Sequence, residues 1–379
     1  MPSISVIVPV FDGIRYLPYF LASLAEATPP GAELIFVDDA STEPVLDVVP
    51  DTLAGASVTK LRNDQNRGYS AAVNRGFVHA RGDILIQLNS DLILDRRCIT
   101  AMVELIEKTP RAGIIGSKQL SPTTGRVRHI GMAFGRYSHR HIFGGLPADH
   151  PLCGKTRAMQ TVSGATAAMT KRVLDDIGPL DEDFYNTSEN TDHCLKAHVR
   201  GYVNYTCAQS VAYHWVSQSG PARFARTNED AALFWTRWGT TRVVDLGVFI
   251  DEALNYVLDS NPELSGYAFE PLSLCRSNDE PILLECLERR WNGASAKTHK
   301  TRFFNSPREV AWLPMEMPHR SMMNPSPYIY LVDRINQLSE NRLWFEARAR
   351  IVSTELVMDT KAVVLTTNEL LALYGDPLQ

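Results

Sequence analysis

Cysteine is scarce in this chain, and no two cysteines stand in a CxxC arrangement. The six are spread irregularly over 379 positions: Cys98, Cys153, Cys194, Cys207, Cys275 and Cys286. A disulfide framework needs a denser and more regular set, and a zinc ribbon needs CxxC pairs. Both are excluded as the basis of this fold, and we expect a reduced, cytoplasmic compartment.

Long apolar runs are also missing. No stretch approaches the roughly 18–20 apolar residues that a membrane-spanning helix requires. The first ten residues, MPSISVIVPV, lack a basic segment followed by a long apolar one, so they predict a strand and not a signal peptide. We expect membrane contact to be peripheral at most, at the inner face of the membrane.

Neither sign of charge dominates, because 38 Lys and Arg stand against 43 Asp and Glu, a formal net charge of −5. Such a chain has no overall attraction to nucleic acid, and an anionic ligand would need local neutralisation. The hydrophobic content of 44% is typical of a globular protein. The length allows one large α/β domain with an addition, or two ordinary domains.

Short apolar runs alternate with amphipathic stretches in the first half of the chain. They predict strands over residues 4–10, 34–37, 58–61, 84–88 and 112–117, and helices over residues 16–27, 70–80, 96–108 and 188–200. Buried strands separated by helices favour an α/β fold with a mostly parallel sheet covered by helices. Ligands of such sheets bind at the carboxyl ends of the strands, so polar residues there are the candidate site.

Two later regions differ from this rhythm. Residues 136–157 contain three histidines with several glycines and prolines, and they predict a long loop that is mobile without ligand and closes over it. Beyond residue 221 the pattern predicts helices over residues 224–258, 283–291 and 331–356. We therefore expect an α/β domain over residues 1–221 and a mainly helical extension over residues 222–379.

Carboxylates follow two of the predicted strands. Asp38 and Asp39 come after the second strand, and Asn89, Ser90 and Asp91 come after the fourth. Either group could bind a ligand or a cation at the edge of the sheet. The alternative is that an acidic side chain closes the turn, which is favoured for Asp38 and remains open for the others.

Three residues of the second half are further candidates. Glu189 and Asp192 have the i, i+3 spacing that places both carboxylates on one face of a helix, in its first turn. They could act in acid–base chemistry, or they could only complement the helix dipole. His214 ends a strand-like run and is either a ligand of a metal or phosphate or a structural histidine.

Taken together, these segments resemble the family-2 glycosyltransferases with the GT-A fold, and in particular their bacterial rhamnosyltransferase-like branch. The resemblance covers roughly residues 3–220 and rests on motifs that occur in the family's order. These are VIVPVFDG at 6–13, VDDAST at 37–42, NRGYSAAVNRG at 66–76, GDILIQLNSD at 82–91, SGA at 163–165, GPLDEDF at 178–184, ENTDHCLK at 189–196 and VAYH at 211–214.

The resemblance implies an inverting transfer from a nucleotide diphosphate sugar, with dTDP-rhamnose or a UDP-sugar as donor. The acceptor would be a saccharide or a lipid-linked saccharide of the cell surface. Asp91 and His214 would hold Mg²⁺ or Mn²⁺ near the diphosphate. The residues assigned to the donor are Pro9, Phe11, Asp39, Asn66, Gly68, Asn74, Asn89 and Ser90. The donor half would span about residues 1–118 and the acceptor half about residues 119–221.

One position departs from the family pattern. The family's second acidic residue in its "ED" motif often serves as the general base, and here that position is Asn190. An amide cannot take the acceptor's proton. Glu189 is the favoured base and Asp192 the alternative, or else the enzyme is impaired.

Two other classes of protein are less favoured. The first is a nucleotide-binding enzyme of another class, such as a dehydrogenase or a sugar nucleotidyltransferase. A dehydrogenase would have GxGxxG after the first strand and a nucleotidyltransferase a Gly-rich basic loop, where this chain has VFDGIR at residues 10–15. A non-catalytic binding or scaffold protein that kept the fold is favoured only by Asn190. Retention of Asp39, Asp91 and His214 argues against it.

Overall fold

The computed structural model describes residues 2–215, 226–294, 298–300, 326–335, 338 and 342–374. The chain divides into two compact units, residues 1–132 with 145–242 and residues 133–144 with 243–379. The domain boundary predicted between residues 221 and 222 lies outside the described residues. The described residues that follow it, 226–242, belong to the first unit.

The secondary structure alternates between strands and helices in both units. The strands are β1 (Ile4–Val10), β2 (Glu33–Asp38), β3 (Thr52–Leu53), β4 (Ala56–Arg62), β5 (Ile84–Leu88), β6 (Leu92–Leu94), β7 (Ala112–Leu120), β8 (Val127–His129), β9 (Met132–Phe134), β10 (His139–His141), β11 (Arg157–Met159), β12 (Thr166–Thr170), β13 (Val203–His214), β14 (Glu270–Ser273), β15 (His299–Lys300), β16 (Tyr328–Val332), β17 (Leu356–Asp359) and β18 (Val364–Thr366). The helices are α1 (Leu17–Ala27), α2 (Tyr69–His79), α3 (Cys98–Lys108), α4 (Lys171–Ile177), α5 (Glu189–Val199), α6 (Thr227–Trp238), α7 (Leu246–Ser260), α8 (Glu280–Arg290), α9 (Arg342–Arg348) and α10 (Thr367–Tyr374). Among the described residues, none of these helices combines the length and the hydropathy needed to cross a membrane.

A large sheet forms the centre of the first unit, with the strand order β11-β13-β7-β12-β5-β1-β2-β4-β3. The central strands β5, β1, β2 and β4 are parallel to one another, and β12 runs antiparallel between β5 and β7. β1 and β5 are buried along their whole length, as expected for strands covered on both faces. The predicted α/β fold with a helix-covered, largely parallel sheet is confirmed.

Helices cover both faces of this sheet. On one face, Val6 and Val8 of β1 pack into a core with α1 and α3. On the other face, α2 lies so close that a side chain at Gly76 would meet Ile7 at 2.3 Å. The close approach brings the start of α2, and the loop before it, to the carboxyl edge of the sheet.

The second unit contains a sheet that the helical pattern did not predict. Its strand order is β15-β14-β16-β17-β18, and only β17 and β18 pair antiparallel. The helix predicted over residues 331–356 is wrong, because β16, α9 and the first residue of β17 fall in that range. A short apolar run such as YIYLV fits a buried strand as well as a buried helix. The helix predicted over residues 224–258 starts outside the described residues and is otherwise two helices, α6 and α7.

The segment of residues 136–157 is less irregular than its composition predicts. It contains β10 and a 3₁₀ turn at Pro151–Gly154. The side chains of Ile142, Phe143, Leu146 and Leu152 are buried. Movement of the whole segment would expose these side chains to water, which is unfavourable. Its mobility stays a prediction.

Candidate active site

Two adjacent carboxylates at the end of β2 have different surroundings. Asp38 is fully buried, pairs with the guanidinium of Arg62, and accepts a hydrogen bond of 2.8 Å from the backbone N–H of Ser41. The same guanidinium donates to the Ser41 carbonyl at 3.0 Å. Asp38 therefore closes the turn after the strand, as favoured from its position.

Asp39 holds the loop that leads into α2. Its buried carboxylate accepts hydrogen bonds from the Asn63 side chain at 2.6 Å and from the backbone N–H groups of Arg67 and Gly68 at 3.0 and 2.8 Å. Gly68 has a φ of +89°, and a side chain there would meet the Tyr185 carbonyl at 2.9 Å. The carboxylate and the loop thus form one rigid corner of the sheet edge.

The other residues predicted to bind the donor lie at different places. Pro9 is buried near the end of β1, Phe11 follows it half-buried, and Asn66 is exposed in the loop before α2. The Asn74 amide donates to the Leu180 carbonyl at 2.8 Å, and its carbonyl accepts from the Leu180 N–H at 3.0 Å. Asn74 thus connects α2 to the chain after α4, and its contact with a donor stays a prediction.

The end of β13 lies beside the residues that follow β5. His214 is in register with Leu92 of β6, and the backbone N–H of Trp215 donates to the Asp91 carbonyl at 3.1 Å. As a result, the Nε2 atom of His214 lies 3.2 Å from Oδ1 of Asp91. Two residues far apart in the sequence meet at the carboxyl edge of the sheet.

The chemistry of this pair suits a divalent cation. His214 Nδ1 lies 3.1 Å from the Gln119 Oε1 atom, which can only accept, so Nδ1 carries a proton. In a neutral imidazole, Nε2 then directs a lone pair at the carboxylate of Asp91. Neither Nε2 of His214 nor Oδ1 of Asp91 has a hydrogen-bond partner among the described residues. The buried Oδ1 atom of Asn89 also has none there, and the neighbouring Ser90 is half-buried.

Two facing lone pairs repel each other, so this position favours a proton or a cation. Carboxylate oxygens and an imidazole nitrogen are suitable ligands for Mn²⁺, and oxygens are preferred by Mg²⁺. Within the described ranges, no group of three or more His, Cys, Asp and Glu side chains forms a metal site. A cation held by Asp91 and His214 would therefore need ligands from a bound molecule as well.

Asp192 is engaged by three partners inside the protein. Its carboxylate is fully buried and accepts hydrogen bonds from Arg237 at 2.6 Å and from the Trp238 indole at 2.9 Å, and Lys196 lies 2.9 Å away. Arg237 also pairs with Asp181 at 2.7 Å. Burial alone would lower the pKa of Arg237, but its bonds to the two carboxylates outweigh burial and raise the pKa. A carboxylate paired with two cations is a poor proton acceptor, so these contacts favour Asp192 as an anchor of α5.

Glu189 begins α5 and is 7% exposed. Its Oε1 atom accepts a hydrogen bond of 2.7 Å from the side chain of Asn190. Asn190 in turn contacts Gln87 of β5, the strand that ends just before residues 89–91. One strand therefore connects the start of α5 with the Asp91–His214 pair.

Asp230 of α6 holds the turn that precedes Glu189. Its carboxylate accepts from the backbone N–H groups of residues 185–187 at 3.1–3.3 Å and from the Thr187 hydroxyl at 2.8 Å. Ser188 then takes a left-handed backbone with a φ of +69°. This conformation is costly for a residue other than glycine and is often found at functional sites.

Sequence reasoning missed five residues of this network: Gln87, Gln119, Asp230, Arg237 and Trp238. A signal existed for Gln87, because it is a polar residue inside the apolar run ILIQL. The residues of α6 gave no local signal, since a helix with charged and aromatic residues is compatible with many surroundings.

The family model that matches this chain agrees with the resemblance found in its sequence motifs. Residues 5–178 match the model described as Glycosyl transferase family 2. The matched segment runs from β1 through α4 and ends before α5 and His214. The first unit has the helix-covered, largely parallel sheet that the resemblance to GT-A enzymes implies.

Two curated proteins are similar to the chain over more than half of its length. The uncharacterized protein y4gI of Sinorhizobium fredii is 28% identical over 268 residues, which are 64% of this chain and 28% of y4gI. The O-antigen biosynthesis protein RfbC of Myxococcus xanthus is 27% identical over 227 residues, 58% of this chain and 18% of RfbC. The chain thus spans less than a third of either relative.

Among solved structures, the chain aligns with the mannosyltransferase PcManGT from Pyrobaculum calidifontis, which was solved in complex with GDP-Man and Mn²⁺. The TM-score is 0.45 and the sequence identity is 17%. The alignment covers 78% of this chain and 86% of PcManGT.

Proposed function

We propose that this protein is an inverting glycosyltransferase that moves a sugar from a nucleotide diphosphate donor to a saccharide or lipid-linked saccharide in cell-surface polysaccharide synthesis. The observation that carries the proposal is the Asp91–His214 pair, whose Oδ1 and Nε2 atoms lie 3.2 Å apart at the carboxyl edge of the sheet and have no hydrogen-bond partner among the described residues. The match of residues 5–178 to the model described as Glycosyl transferase family 2 supports the same reaction class, and the name of RfbC supports the polysaccharide context.

Asp91 and His214 would hold Mg²⁺ or Mn²⁺ together with the donor's diphosphate. A cation bound there would neutralise the charge that grows on the leaving diphosphate. The rigid corner formed by Asp39 and the loop before α2 would position the nucleotide, with Pro9, Phe11, Asn66 and Gly68 around it. In this proposal the catalytic domain spans residues 1–221, with the donor half about 1–118 and the acceptor half about 119–221.

Glu189 is the general base of the proposal. It would take the proton of the acceptor hydroxyl while that oxygen attacks the anomeric carbon and the nucleotide diphosphate leaves. Asp192 is unsuited to this role because Lys196 and Arg237 already neutralise its carboxylate. General-base assistance is typically worth about 10²–10⁴ in rate, so loss of the Glu189 carboxylate should be readily measured.

The proposed donors are dTDP-rhamnose and UDP-sugars, and the proposed place of action is the cytoplasm, with peripheral contact to the inner face of the membrane. Melting curves with dTDP-rhamnose, UDP-glucose, UDP-N-acetylglucosamine and GDP-mannose, each with MnCl₂, test the donor site. A ligand at 100 times its Kd stabilises a protein by about 2.7 kcal/mol, which gives a clear shift.

We expect one of these donors to raise the Tm, EDTA to remove the shift, and the same donor to be hydrolysed or transferred with release of the nucleotide diphosphate. The Glu189→Gln variant should bind the donor and lose turnover. Stabilisation without turnover in the wild type would identify a binding protein, the alternative that Asn190 favours. No stabilisation and no turnover with any donor would contradict the proposal.

A further inference from the structure

Asn190 stands where the family pattern has its general base, and its contacts give it a different task. We infer that Asn190, oriented by Gln87, is a positioning residue that holds the carboxylate of Glu189 in place and keeps it ionised. The inference rests on the proposed function, because it explains how Glu189 could serve as the base. It also gives a physical reason for an amide at residue 190.

The direction of each amide follows from the hydrogen bonds. Gln87 Nε2 lies 3.0 Å from the carbonyl oxygen of Gly164, which can only accept, so this atom is a donor. The same nitrogen lies 2.6 Å from the Asn190 side chain, whose facing atom is therefore the oxygen. Nδ2 of Asn190 is then left to donate to Oε1 of Glu189 at 2.7 Å. The chain of bonds runs in one direction, from β5 to the start of α5.

Packing leaves the Asn190 side chain little freedom to leave this chain of bonds. A side chain on Gly164 would lie 1.8 Å from Asn190 Cγ, so the absent side chain at this glycine creates the space that the amide fills. The Tyr69 hydroxyl donates to the Gly164 carbonyl at 3.0 Å and lies 3.4 Å from Gln87 Nε2. Glycine at residue 164 and the fixed Gln87 amide thus set the place and the direction of the bond to Glu189.

An aspartate at residue 190 would change this arrangement. It could still accept from Gln87, but its second oxygen would face the Glu189 carboxylate at a distance where Asn190 now donates. Two carboxylates this close cannot both ionise, so they would share a proton and titrate as a pair. The amide therefore allows Glu189 to be ionised, and an aspartate would compete with it.

Other titratable and charged groups surround this cluster. They are Tyr69 of α2, His193 and Cys194 of α5, and Asp192 with its partners Lys196 and Arg237. Burial lowers the pKa of His193 to about 4 and raises the pKa of Cys194 to about 12. Both groups stay neutral between pH 5 and pH 8, so neither contributes a pH dependence in that range.

The first test needs no ligand. The Tm is measured between pH 5 and pH 8 for the wild type, for Asn190→Asp, and for the exchange variant Glu189→Gln with Asn190→Asp. In Asn190→Asp the shared proton raises the pKa of the pair above its value in the unfolded chain. Relative to the wild type, stability is then present at low pH and lost as the pH rises, by about 2–4 °C for each unit of pKa change.

The exchange variant is the matched control, because the amide introduced at residue 189 would donate to the carboxylate at residue 190. It should melt with the pH dependence of the wild type. An Asn190→Ser variant controls for packing alone and should lower the Tm by the same amount at every pH. A loss of Tm in Asn190→Asp that is equal at all pH values would overturn the inference.

The second test is the pH profile of kcat with dTDP-rhamnose and UDP-N-acetylglucosamine in MnCl₂. Asn190→Asp should move the acidic limb to higher pH by about one unit or more, since Glu189 then loses its proton later. Turnover equal to the wild type with an unmoved limb would overturn the positioning role. Full turnover in Glu189→Gln would contradict the proposed function instead, and the melting curves would then decide the pairing by themselves.

Discussion

Arg237 of α6 donates a hydrogen bond of 2.6 Å to Asp192 of α5, and this bond joins two helices that residues 200–226 separate in the sequence. The Asp192 carboxylate is fully buried, so its charge depends on Arg237 and Lys196 for compensation. Removing one partner of a buried ion pair is far more costly than removing an exposed pair. The pair is therefore a sensitive point of the first unit.

We expect Arg237→Met to lower the free energy of unfolding by about 3 kcal/mol at pH 7, because it leaves a buried carboxylate with one cation. Urea unfolding followed by circular dichroism measures the change. Arg97→Met is the matched control, since Arg97 pairs with Glu104 on the exposed surface and should cost at most about 1 kcal/mol. Equal losses in the two variants would show that burial of Asp192 has no energetic role.

Asp91→Asn should abolish transfer and leave the fold intact. The substitution removes a negative metal ligand with almost no change of volume, and the backbone carbonyl that accepts from Trp215 is retained. Donor turnover in MnCl₂ and the Tm without ligand are the two measurements. Asp64→Asn, at an exposed position, is the control. Normal turnover in Asp91→Asn, or in the wild type with excess chelator, would exclude the proposed metal role.

Asp39→Ala should weaken nucleotide binding more than it slows the chemical step. Three protein donors lose a charged acceptor, so the loop before α2 loses its fixed position, and binding should weaken about 10-fold or more. Calorimetry with UDP and with dTDP in MnCl₂ measures the Kd, and steady-state kinetics separate KM from kcat. A collapse of kcat at unchanged KM would place Asp39 at the reacting centre instead.

His193 should make the first unit less stable in acid. Burial lowers the pKa of His193 to about 4, below the value of about 6.5 in an unfolded chain. The unfolded chain therefore binds a proton that the folded one excludes, and stability present above about pH 6.5 is lost as the pH falls toward 4, by about 1.4 kcal/mol per pH unit. Unfolding in urea at pH 7 and pH 5 should show a smaller acid loss in His193→Gln. An identical loss in both proteins would refute this assignment.

Saturating nucleotide with Mn²⁺ should protect residues 136–157 from proteolysis if this segment closes over the ligand. Arg136 is exposed and supplies a trypsin site, whereas Ile142 and Phe143 are buried anchors. Limited trypsin digestion with and without UDP and MnCl₂ measures the cleavage rate. Cleavage that is unchanged by ligand would identify the segment as a fixed part of the surface.

Features that depend on neighbouring residues could be predicted from the sequence better than contacts between residues that are far apart in it. The strands at residues 4–10 and 84–88 were predicted with their observed limits, because each is a short apolar run between polar residues. The residues after β2 and β5 were found because a parallel sheet gathers them at one edge. The partners of Asp192 in α6 could not be predicted, since nothing near Arg237 or Trp238 in the sequence indicates which buried carboxylate they contact. The sheet of the second unit was missed because strands such as β16 are too short for periodicity to separate them from buried helix.

The position of α6 has a consequence for protein engineering. A chimera of two related enzymes would fuse the catalytic region of one enzyme to the C-terminal part of the other. The matched family segment ends at residue 178, yet Asp230, Arg237 and Trp238 bind the turn and the helix that carry Glu189. A crossover at residue 221 would separate Asp192 from Arg237 and Trp238, and the turn at residues 185–187 from Asp230. A crossover after residue 242, where the first compact unit ends, would transfer the complete set.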